Sequence, residues 1–290
     1  MAASHTDETR QRLLSDSYRR LQPDAHVAFV DESYVVPEIA HGARTFYIAT
    51  AYVSPVRLHQ AVRDDLGSII GGSYWHTSEA HAAGDAETIH ELCRYLAAAE
   101  DDEAFLLAVQ SPIEDAPGSD ELAREACLTA LLGNLHEGQL TPRPSLVVAE
   151  ERRHQGQRAR DLRTVKMMRQ AQLIGQMQVT FTSPSVEHLL WVPDIVAFAQ
   201  SHHERGSDAA YVAPLEPLLR VVPVEKATPG SRSKRPGAAG AIERWAGMLR
   251  FALTSVAASS SVGKTRQDDR SATRRAFLPP AALLPSALEP

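Results

Sequence analysis

His26-Val27-Ala28-Phe29-Val30-Asp31-Glu32 is a short apolar run that stops on two carboxylates. Arg44-Thr45-Phe46-Tyr47-Ile48-Ala49-Thr50-Ala51-Tyr52-Val53 follows it, bounded by Gly42 and by Ser54-Pro55. β-Branched and aromatic side chains suit a pleated, buried surface, so both stretches read as strands. The linker between them is short enough for an antiparallel pair.

Outward from this pair, residues 1–24 read as a leader helix ending at Pro23. Val56, Leu58, Val62 and Leu66 predict a helix over 56–66, and Gly71-Gly72 marks a break. Ile89, Leu92, Cys93 and Leu96 recur at helical spacing within 84–99. Phe105–Val109 is a third strand, and Leu122, Ala126, Leu128, Leu131 and Leu132 predict a helix over 119–135. Ser145–Ala149 is a fourth strand, and like the first it ends on carboxylates, Glu150 and Glu151. A basic helix over about 157–175, a fifth strand over Gln178–Thr182 and a last helix over 185–203 complete the pattern. Two strands that pair directly, then strands separated by helices, favour an α/β domain with parallel crossovers.

Beyond residue 223 this periodicity ends. Thr228–Gly237 has linker composition, and Ile242, Trp245, Met248 and Leu249 predict one short helix over 241–253. The remainder of 223–290 reads as a basic, low-complexity, disordered tail. Ala258–Thr265 fits a loose phosphate-loop pattern, but no strand precedes it. The domain division is therefore 1–24, 25–222 and 223–290.

The formal charge of −6 conceals an asymmetry. Residues 224–290 hold eleven Lys and Arg against five Asp and Glu, leaving 19 basic and 31 acidic residues in 1–223. A body of net −12 does not grip nucleic acid through a broad basic surface, so the tail or bound metal must offset the repulsion. The start of the chain is polar and charged, and no apolar run approaches the roughly 18 residues of a membrane span. The expectation is a cytoplasmic protein with no membrane partner. Cys93 and Cys127, both in apolar helical patterns, read as buried thiols of a reducing compartment. No Cys-x-x-Cys, His-Glu-x-x-His or Gly-x-Ser-x-Gly spacing occurs.

Three stretches carry a resemblance. They are Phe29-Val30-Asp31-Glu32-Ser33, then Val147-Val148-Ala149-Glu150-Glu151-Arg152, then Ser183 through Ala197 with Asp194 near its end. Together they resemble the domain-of-unknown-function family numbered 3800, over about residues 26–205. The strand–helix order is also that of the ribonuclease H fold. The resemblance implies a ribonuclease H-like mixed five-stranded sheet flanked by helices, and a metal-dependent nuclease activity. Members typically carry Asp-Glu-Ser-Gly at the first strand, whereas Tyr34 stands here in place of Gly. Trp191 and Pro193 replace the usual Gln and Ala before the last Asp, and Glu150 stands where Asp is commoner.

Hard cations such as Mg²⁺ or Mn²⁺ take oxygen ligands, and phosphodiester hydrolysis needs several carboxylates at one point. Asp31 and Glu150, ending strands that are neighbours in such a sheet, and Asp194 in the last helix are the expected metal ligands. Glu32 and Glu151 are the assisting candidates, with Glu151 an equally plausible ligand to Glu150. Asp194 sits among Leu189, Leu190, Val192, Ile195, Val196 and Phe198, where a carboxylate needs a metal or a partner. Pro193 in a helix interior would cost about 3 kcal/mol and predicts a kink. Glu187 is a minor candidate, and Trp75–His81 either borders the substrate cleft or is a plain exposed loop. Glu121 and Glu125 read first as a solvated helix face, as do Arg152, Arg153, Arg158, Arg160, Arg163, Lys166 and Arg169. The function expected is a metal-dependent nuclease with nucleic acid as partner. The alternative is a catalytically inactive ribonuclease H-like module for binding protein or nucleic acid.

Overall fold

The computed structural model describes residues 5–225 except 41 and 208. Most of the segment read as a tail, with the helix over 241–253 and the phosphate-loop-like stretch, lies outside the described residues.

Six strands form one mixed sheet: β1 (His26–Val35), β2 (Phe46–Pro55), β3 (Ala104–Gln110), β4 (Leu146–Glu150), β5 (Gln178–Thr182) and β6 (Leu219–Val222). Their order across the sheet is β5-β4-β1-β2-β3-β6. The meander β1–β2–β3 is antiparallel, while β4 runs parallel to β1, β5 to β4 and β6 to β3. The sheet therefore has six strands rather than the five expected. The sixth is only four residues long, too short for its alternation to stand out from a neighbouring irregular stretch.

Helices cover both faces, as parallel crossovers require. On one face lie α3 (His59–Ile70), α5 (Ala86–Ala97) and α8 (Trp191–Glu204), packed on Val27, Phe29, Tyr52, Phe105 and Val148. On the other lie α6 (Ser119–Glu137) and α7 (Gln155–Gln170), packed on Ala28, Val30, Ala51, Leu106 and Val147. Phe29, Tyr52 and Phe105 are cross-strand partners stacked at 6.1 and 5.3 Å between ring centroids. This ladder ties the three antiparallel strands, each such pair adding about 1 kcal/mol to plain burial. Every residue of β2 is buried, as befits a central strand covered on both sides. Cys93 and Cys127 are free and buried in the two cores.

Short helices α1 (His5–Tyr18), α2 (Pro37–Ala40) and α4 (Thr77–Ala82) complete the described elements. The helix expected over 56–66 is a 3₁₀ turn followed by α3, which extends to Ile70 and stops at Gly71 in the left-handed conformation, φ +67°. That conformation favours glycine, and the Gly71 N–H closes the helix on the Gly67 carbonyl at 2.9 Å.

The entry into α8 is held by one buried carboxylate. Glu187, 2% exposed, accepts two bonds from the Arg63 guanidinium at 3.0 and 2.8 Å, one from the Tyr18 hydroxyl at 2.9 Å and one from the Leu189 N–H at 3.0 Å. It thus joins α1, α3 and the 3₁₀ turn His188–Leu190 that leads into α8. Its lone pairs are filled by structural donors, which assigns Glu187 to the scaffold. Arg63→Met keeps much of the volume and leaves Glu187 buried without its cation. The expected loss is about 3 kcal/mol, read from denaturant unfolding, and Arg63→Lys should recover only part because it lacks the two-pronged donor.

Candidate carboxylate site

Strand alternation decides which acids can meet. Val27 and Phe29 face α8, while Ala28 and Val30 face α6. Continuing the alternation, Asp31 faces α8 and Glu32 faces α6. In β4, Val148 faces α8, so Glu150 does too. The β1–β4 ladder ends at the pair Val30–Ala149, and the next residues are Asp31 and Glu150. They emerge side by side where β4 stops.

β1 itself does not stop there. Asp31 was expected at the end of the strand, yet β1 continues to Val35 because β2 keeps pairing with it and Tyr34 stacks on Tyr47 at 5.4 Å. The ladder with β4 ends at this point, and the strand with β2 goes on.

Asp194 reaches the same place from above. The Thr50 side chain, opposite Asp31 in the β1–β2 register, lies with its hydroxyl 2.9 Å from the Pro193 carbonyl and 3.2 Å from that of Asp31. This hydroxyl docks the start of α8 onto the sheet. Pro193 is the third residue of α8, where a backbone N–H has no partner within the helix. The expected kink and its cost do not arise, since α8 begins just before the proline. Asp194 accepts the Thr77 N–H at 2.8 Å and the Thr77 hydroxyl at 2.7 Å, both on Oδ2. Thr77 Oγ1 in turn accepts the Trp75 indole N–H at 2.9 Å. Trp75–His81 therefore reaches Asp194 through Thr77, and Thr77–Ala82 of this segment is a helix rather than a plain exposed loop.

The three acids burden one another. Asp31, 7% exposed, is held well above the usual carboxylate range by burial, then by the charges of Glu150 and Asp194. Glu150 is raised by burial and by Asp194, while a hydrogen bond with Asp31 and the charges of His76 and Arg153 pull it down. Burial raises Asp194, against the opposing influence of His76 and the Thr77 donors. Asp31 and Glu150 follow the last pair of the β1–β4 ladder, which sets their carboxyl groups in mutual influence. Among the described residues no three His, Cys, Asp or Glu side chains close around a single point. The donor set nevertheless fits a hard cation. It consists of carboxylate oxygens, and Asp194 Oδ1 takes no protein hydrogen bond among the described residues.

The assisting candidates are engaged by cations. Glu32 is ion-paired with Arg124, which also forms a two-pronged bond to Asp161 at 2.8 and 2.9 Å on the α6–α7 face. Glu151 is paired with Arg10 and Arg158. Glu32 lines one hollow with Asp31, Glu150 and Arg124, but its carboxylate is taken up by the Arg124 guanidinium, and Glu151 turns to Arg10 and Arg158. The choice between Glu150 and Glu151 falls to Glu150 on geometry. Glu121 pairs with Arg152 and Arg160 beside the same network, and Glu125 is half-buried on the same helix, α6. Sequence reasoning missed Thr50 and Thr77. Thr50 looked like one more β-branched residue in an apolar strand, and only the position of α8 gives its hydroxyl a task.

Comparison of the chain with family models, curated proteins and solved structures yields no match in any of the three.

Raised carboxyl values make the site a cost to folding. A carboxyl that holds its proton more tightly when folded adds stability below its unfolded value, near pH 4, and loses it as pH rises toward the folded value. Asp31→Asn removes the ionisation, so it should raise the melting temperature at pH 7.5. The gain should shrink toward pH 4, as followed by thermal unfolding across that range.

Proposed function

We propose that the chain is a ribonuclease H-like, metal-dependent phosphodiesterase whose ligands are Asp31, Glu150 and Asp194. The observation that carries this reading is that three acids far apart in the chain come near enough for Glu150 and Asp194 to raise Asp31 and for Asp194 to raise Glu150, each of the three also pushed toward protonation by burial. Perturbed carboxyls clustered at strand ends are a common mark of functional sites. The strand order supports the fold reading, since β1 and β4 are neighbours as in the ribonuclease H-like arrangement.

Mg²⁺ or Mn²⁺ bound by these carboxylates supplies positive charge for the phosphoryl oxygens as they gain negative charge in hydrolysis. The chain's own residues do the rest. Asp31 and Glu150 present adjacent oxygens from a rigid sheet, and Thr77 fixes the rotamer of Asp194 through two bonds to one oxygen. Thr50 sets the height of α8 over the strands. Arg153 places positive charge near Glu150, where an incoming phosphate would be received.

A second reading has its own support. Glu150 is eased by its hydrogen bond with Asp31, and no three metal-ligating side chains converge among the described residues. A catalytically inactive module that binds protein or nucleic acid fits that arrangement.

Cleavage of single- and double-stranded DNA and RNA with Mn²⁺ tests the first reading. Asp31→Asn and Asp194→Asn should each lower the rate about 100-fold or more, and Thr77→Val about 10-fold through loss of positioning. Undiminished cleavage by Asp31→Asn rejects the site. Thermal stabilisation by Mn²⁺ that disappears in Asp194→Ala favours the enzyme, and indifference to Mn²⁺ favours the binding module.

A further inference from the structure

Tyr74 is a large side chain left 60% exposed beside a polar site. It is not adrift. Its hydroxyl donates to Glu79 Oε2 at 3.0 Å, and the next residue, Trp75, is buried and bonded to the Thr77 that holds Asp194. The ring is therefore tethered within a few residues of the carboxylates, with its phenol fixed and much of its surface open. Arg153, three residues past Glu150, is exposed and has no ion-pair partner among the described residues. Both residues stand at the end of the sheet where the acids emerge: Arg153 lies in the link between β4 and α7, and Tyr74 comes three residues before the Thr77 that bonds Asp194.

We infer that Tyr74 and Arg153 form a rim that grips an unpaired nucleotide, so that the substrate is single-stranded nucleic acid. The inference rests on the phosphodiesterase reading and names the substrate class for that site. An exposed aromatic ring stacks on any base, and a free guanidinium takes a neighbouring phosphate with two parallel bonds. A duplex offers no base face to Tyr74 and calls for an extended positive surface. Among the described residues the cations near the site do not form such a surface. Arg158 and Arg160 at the start of α7 are neutralised by Glu151 and Glu121, and the later cations of that helix run toward the opposite end of β4. The body also carries a net charge of −12 over residues 1–223. Few cations and one stacking ring suit a short flexible strand.

The test is fluorescence anisotropy of the full chain with labelled oligothymidylate, oligouridylate and a hairpin duplex, with Ca²⁺ in place of Mn²⁺ to limit turnover. The single strands should bind more tightly than the duplex. Tyr74→Ala should weaken single-strand binding about tenfold and leave the duplex unchanged, while Tyr74→Phe, which keeps the ring, should bind as the parent does. Arg153→Ala should lower the slope of log K against log salt by about 0.7, the share of one phosphate contact on a single strand. Tyr74→Ala binding like the parent, or tighter binding of the duplex, overturns the rim. Asp31-dependent cleavage that persists in that case leaves the phosphodiesterase reading intact. Loss of binding in the rim variants without any Asp31-dependent cleavage upholds the rim and removes the enzyme.

Discussion

The buried carboxylate of Glu187 is the joint on which the arrangement depends. Two bonds from Arg63, one from Tyr18 and one from the Leu189 backbone fix where the last helix begins. A helix gains 1.5 Å per residue and turns 100° with each, so a start displaced by one residue would rotate Asp194 away from the sheet. The Thr50 hydroxyl then sets that start against the strand carrying Asp31. Positioning is thus assembled from ordinary packing and a satisfied buried charge, at some distance from the acids it serves.

The acids themselves are arranged against the interest of stability. Among the described residues no arginine forms an ion pair with Asp31, Glu150 or Asp194, although Arg124, which lines a hollow with Asp31, Glu32 and Glu150, anchors a dense network. The contrast is informative. Glu32, one residue from Asp31, is neutralised at once by Arg124, whereas Asp31 is raised by burial and by Glu150 and Asp194 and is eased by that arginine only to a lesser degree. Natural sequences accept such a penalty mainly where a bound group relieves it.

Much of the architecture was legible because hydrophobic periodicity and strand chemistry are local properties. The first five strands and the main helices follow from runs such as Phe46–Val53 and from spaced apolar residues such as Ile89, Leu92 and Leu96. Asp31, Glu150 and Asp194 were also legible, since each follows or interrupts an apolar stretch where a lone charge is conspicuous. What local pattern cannot carry is partnership across the chain. Glu151 looked equal to Glu150, and Glu32 looked like an assisting acid, until Arg10 and Arg158 claimed the first and Arg124 the second. Pro193 looked like a defect because the start of the helix was placed several residues too early. β6 escaped because four residues give too few alternations to read, and its pairing with β3 is a long-range event.

The placement of tryptophan gives the molecule an optical property. Two of its three indoles, Trp75 and Trp191, lie in the described residues, and both are buried beside the acids. Trp75 shares Thr77 with Asp194, and Trp191 opens the helix that carries it. A rearrangement of that carboxylate changes the surroundings of Trp75, which shares Thr77 with it, so part of the emission of the unlabelled protein reports on this location.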